Sequence, residues 1–101
     1  MIDARSYCRE DARRFCEEAG KDDWSGQCFS FAYSDCLGVL REFPYLKGYL
    51  RFCDDGCGGD MDCVIRCMDV VVRCDKATQW KGNLSKCVEA LLKKEKVFSR
   101  A

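Results

Sequence analysis

Apolar residues recur at helical spacing along most of the chain. Between residues 3 and 19, Ala4, Cys8, Ala12, Phe15, Cys16 and Ala19 follow one another at steps that keep to one face of a helix. Arg9, Glu10, Arg13, Arg14 and Glu17 occupy the opposite, solvated face. Asp3 suits the N-cap and Gly20 the residue just past the C-terminus. Lys21 to Gly26 predict a turn, with Asp23 or Ser25 capping the next helix. That helix runs to about Phe43 and presents Cys28, Ala32, Cys36, Val39 or Leu40, and Phe43. Phe29, Phe31, Tyr33 and Leu37 widen its apolar face, so it is expected to be central or to lie in a subunit interface.

Pro44 ends that helix by pushing Phe43 out of the α region, and at N1 it opens a third, ending at Cys53. Asp54 to Asp62, with three glycines, reads as a loop that holds Cys57. A fourth helix follows from Asp62 to Cys74. Its β-branched residues also suit a strand, but Cys63 and Cys74, eleven apart, would then face opposite sides of a sheet. After a polar stretch from Asp75 to Gly82, Asn83 caps a last helix with the stripe Leu84, Cys87, Val88, Leu91, Leu92 and Glu95. Lysines crowd its C-terminal end, where the helix dipole favours them. The expected fold is all-α: a small, disulfide-rich helical domain of four to five helices built on a stapled helical hairpin, spanning residues 1–101 as one unit.

Cysteine changes the picture most. Ten cysteines in 101 residues indicate a disulfide scaffold made in an oxidising compartment. Cys8/Cys16 and Cys28/Cys36 are each eight residues apart, a little over two helical turns, so each pair shares a face. Folding the two helices together at Gly20 makes Cys16–Cys28 and Cys8–Cys36 the natural closure, one choice among roughly 945 for ten cysteines. The remaining six are Cys53, Cys57, Cys63, Cys67, Cys74 and Cys87. Four of them, in C-x3-C-x5-C-x3-C, would suit zinc or Cu(I) as thiolates. Disulfides account for all ten, so no metal is expected. Asp54, Asp55, Asp60 and Asp62 do not match the EF-hand spacing and read as a solvated acidic loop. The chain has no histidine and no nucleophile-elbow pattern, so neither an enzyme nor a cofactor is expected.

Net charge is zero, yet the signs are sorted. Residues 54–75 carry six acids against two bases, and residues 76–101 seven bases against two acids. Seven aromatics fall between residues 29 and 52, more than one helix face can hide, and any exposed remainder marks a partner surface. Basic residues are not interleaved with them, which argues against nucleic acid. The longest aliphatic run, Val70 to Val72, is far too short to cross a bilayer. The start, Met1-Ile2-Asp3, has neither a basic nor an apolar leader, as expected of a mature secreted form. Asn83-Leu84-Ser85 is a glycosylation sequon whose rival reading is a helix cap.

The run of C-x7-C, a loop, QCFSFAYSDC and then CVIRCMDVVV resembles the con-ikot-ikot-type and saposin-like large conotoxins of cone-snail venoms, over roughly residues 7–90. Con-ikot-ikot chains carry vicinal cysteines, which are absent here. The resemblance implies a helical, disulfide-stapled, often dimeric scaffold with every cysteine a disulfide partner. It also implies a secreted venom toxin that modulates a neuronal ion channel, either a voltage-gated calcium channel or an ionotropic glutamate receptor. The expected contact residues are Lys86, Lys93, Lys94 and Lys96 of the basic C-terminal helix and Phe29, Phe31 and Tyr33, meeting the extracellular face of the channel. The alternative is a saposin-like protein that binds lipid or another apolar ligand.

Overall fold

A computed structural model describes residues 2–18, 20, 26–78 and 83–98, and in them the chain forms five helices and no strand. These are α1 (Ala4–Glu18), α2 (Gln27–Glu42), α3 (Pro44–Cys57), α4 (Met61–Thr78) and α5 (Leu84–Lys94). The predicted turn caps Asp23 and Ser25, and Ala19 of the first stripe, lie outside the described residues.

Helix α1 starts as expected. The Ser6 N–H donates to Asp3 Oδ1 at 2.8 Å while the Asp3 N–H donates to Ser6 Oγ at 3.1 Å. This reciprocal box satisfies backbone donors that the first turn would otherwise leave free. Gly20, at φ 65°, donates to the Glu17 carbonyl and turns the chain past the helix end. Tyr7, Cys8, Ala12 and Cys16 form the buried face. Phe15 does not join them. It is 60 % exposed, because it overhangs the open space between α2 and α4.

Helix α4, not α2, is central. It packs on α1, α3 and α5, and it buries Val64, Met68, Val70 and Val71 almost completely. α2 leans on α1 and α3 and contributes only Leu40 to the buried set. Its broad apolar face is thus not the middle of the molecule. α2 ends at Pro44 as the sequence predicts, with Phe43 at φ −119°, ψ 83°.

The expected loop from Asp54 to Asp62 is mostly helix. α3 continues through Cys57, and Gly58 (φ 63°) ends it by donating to the Asp54 carbonyl. Gly59 donates to the same oxygen at 3.3 Å. Two bridges, Cys53–Cys67 and Cys57–Cys63, clamp this last turn onto α4 and override the low helix propensity of Asp-Asp-Gly. Asp54, expected to be solvated, is instead 8 % exposed, and its carboxylate accepts the Ile2 N–H at 3.1 Å. That bond ties the N-terminus to α3.

Among the described residues no cysteine is free. Cys8–Cys36 and Cys16–Cys28 close the first hairpin inner to inner and outer to outer, as the spacing suggested. The second hairpin repeats the nesting with a four-residue step, and Cys74–Cys87 fastens α5 to α4. α4 also runs on to Thr78, beyond its predicted end.

At α5, Asn83 holds the cap position, its carbonyl accepting the Cys87 N–H at 3.1 Å, but its side chain caps nothing. Glu95, expected in the apolar stripe, is exposed and accepts from Arg73 at 2.7 Å. The helix ends in a Schellman motif. Lys96, at φ 53°, donates to Lys93, and Val97 donates back to Leu92 at 3.1 Å. Val97 is thereby buried, and Phe98 is carried over α3.

Candidate partner-binding site

The final turn after α5 builds a site that neither helix holds alone. Phe98 lies flat on the backbone at Gly56, where a β-carbon would stand 2.6 Å from the ring. Only glycine leaves that space. The Phe98 ring meets Phe52 edge-on at 5.9 Å, and Phe52 meets Tyr49 at 6.1 Å. With Glu89, Leu92, Lys93 and Lys96, the two phenylalanines line a groove of about 600 Å³. Phe52 is 44 % exposed, an apolar floor open to solvent beside two ammonium groups. Such a floor binds apolar or aromatic surface, and the lysines favour a partner with carboxylates beside it.

The lysines expected to bind a partner therefore divide. Lys93 and Lys96 enter this groove, whereas Lys86 and Lys94 are exposed on α5 outside it. The expected aromatics Phe29, Phe31 and Tyr33 sit on α2, which is not packed against α5. Phe29 stacks on Tyr33 at 5.7 Å, while Phe31 points outward at 74 % exposure. The structure does not unite them with the lysines. Phe52, at the end of the aromatic-rich segment, and Phe98, beyond it, take their place. Phe98 was hidden from sequence reasoning because its position depends on a left-handed Lys96 and on Gly56, which lies 42 residues earlier in the chain.

The polar face of α1 is a chain of ion pairs. Glu10 receives Arg13 at 2.5 Å and Arg14 at 2.8 Å, Arg13 also reaches Glu17 at 2.9 Å, and Arg14 continues to Asp62 on α4. Hydrogen bonds from the two arginines draw Glu10 down to about 2. Its depressed value adds stability above the ordinary carboxylate range that is lost as pH falls toward about 2. Asp11 has the opposite sign. Burial and the neighbouring Asp69 carboxylate raise it, so its proton stabilises the fold as pH drops below its raised value. A thermal-unfolding series should therefore show the acid loss concentrated below the usual carboxylate range. Glu10→Gln should flatten it; a Glu10→Gln profile parallel to that of the parent protein would refute the assignment.

Among the described residues no group of His, Cys, Asp and Glu is placed to hold a metal, and no helix is long and apolar enough to cross a membrane. Five disulfides fit an extracellular, oxidising setting. Comparison with protein-family models, curated proteins and solved structures finds no match, so the site rests on its own geometry.

Proposed function

We propose that this protein is a secreted, toxin-class binding domain that modulates a neuronal ion channel from its extracellular face. The convergence of Lys93 and Lys96 with Phe52 and Phe98 on one open groove is the observation that carries the reading. Extracellular rims of cation channels carry carboxylates, which the two ammonium groups would meet, and the phenylalanines would bury apolar surface beside them. The five bridges hold this surface rigid before binding, so little ordering entropy opposes association. Modulation follows if the groove favours one gating state, because a ligand shifts a channel's population only by its difference in affinity between states. The resemblance to large conotoxins names voltage-gated calcium channels and ionotropic glutamate receptors as the first targets. A homodimer joined across α2, where Phe31 stands exposed, belongs to the same reading.

Current recordings across a panel of these channels test it. The oxidised protein should change current at micromolar concentration, and Lys93→Glu with Lys96→Glu should weaken the effect about tenfold, mainly through slower association. Gly56→Ala, which displaces Phe98, should weaken it through faster dissociation. Unchanged currents across the panel, or full potency in both variants, would overturn the reading.

A further inference from the structure

The stripe on α2 that periodicity assigns to a core is only partly covered: Leu40 is buried, whereas Val39 is open to solvent. Between α2 and α4 runs a groove of about 460 Å³. Phe15, Val39 and Phe43 give it an apolar wall over the buried Leu40 and Leu46, and Asp11, Asp35 and Asp75 line it as well. Val39 is 37 % exposed, so the apolar surface is accessible from solvent. Lys76 is the one cation among the described lining residues. Tyr45 donates to Asp75 Oδ1 at 2.8 Å and so orients that carboxylate. Burial first, and then the Asp69 carboxylate beyond the groove, hold Asp11 above the ordinary carboxylate range.

We propose that this groove binds a small organic cation with an apolar body, its ammonium group among the three carboxylates and its hydrocarbon along Phe15, Val39 and Phe43. Two features select that chemistry. The apolar wall offers nothing to a hydrated inorganic ion, and three carboxylates against one lysine disfavour fatty acids and anionic lipids. The volume falls among small-molecule sites, about 300–1,000 Å³. The groove shares no lining residue with the Phe52–Phe98 groove, so the proposal stands or falls independently of channel binding.

The test is an amide NMR titration of the oxidised, full-length protein with decyltrimethylammonium below its micelle concentration. Decyl sulfate and decanol serve as probes of matched chain length. Saturable shifts at Asp11, Asp35 and Val39 are expected with the ammonium probe and not with the sulfate. Asp35→Asn with Asp75→Asn, which keeps an acceptor for Tyr45, should weaken binding about fivefold. If that pair unfolds the protein, Asp35→Asn alone, at an exposed position, should weaken it by a smaller factor in the same direction. Equal binding of all three probes would reduce the groove to an apolar slot and overturn the proposal. So would shifts confined to the Phe52–Phe98 end, the absence of saturable shifts, or undiminished binding in the variants.

Discussion

Replacing Cys8 and Cys36 together by alanine should free α2 while α3, α4 and α5 stay folded. α2 buries little of its own, Leu40 alone among its side chains. The α1 side of the seam is built from the small residues Cys8, Ala12 and Cys16, which bring the helices close but bury little apolar surface. The bridges therefore do most of the holding. Cys8–Cys36 spans 28 residues and encloses Cys16–Cys28, which spans 12. With the inner bridge intact, 28 less 12 leaves an effective loop of 16, worth about 3 kcal/mol in the chain-entropy account. The shorter Cys57–Cys63 loop, spanning 6, is worth about 2 kcal/mol and lies where α3 and α4 already pack. Native-state hydrogen exchange should show α2 amides losing protection in the first variant while α4 amides keep theirs. Equal protection of α2 and α4 would show that packing holds α2 after all.

Met68→Ala should cost about 2–5 kcal/mol in denaturant unfolding. Met68 is the largest of the fully buried side chains among the described residues, 1 % exposed on the central helix, and its neighbours Val64 and Val71 are branched and cannot close the void. Phe31→Ala, removing a larger side chain that is 74 % exposed, should change stability by less than about 0.5 kcal/mol. A sizeable loss at Phe31, or a negligible one at Met68, would mean that the core is centred on α2.

Much of the local order was legible before the fold was seen. Eight-residue cysteine spacing placed two sulfurs on one face of each helix, and this made the nested closure of the first hairpin readable. Asp3 and Pro44 announced helix starts because their side chains act on the nearest turn. The stretch after Cys53 misled because composition reports intrinsic propensity, while two disulfides and a buried carboxylate bond decided the outcome there. The site was half legible. Lysine-rich α5 stood out as charge, but its aromatic partners did not, since a cluster in sequence is not a cluster in space.

What the sequence determined by itself is therefore the helical periodicity, the disulfide chemistry of ten cysteines and the helix ends at Asp3, Gly20 and Pro44. These depend on residues within a turn or two of one another. Which helix became central, why Phe15 and Val39 face an open groove, and how Phe98 reached Gly56 were decided by tertiary structure. Burial depends on which surfaces meet across the chain, and local spacing shows which residues share a face but not what covers that face.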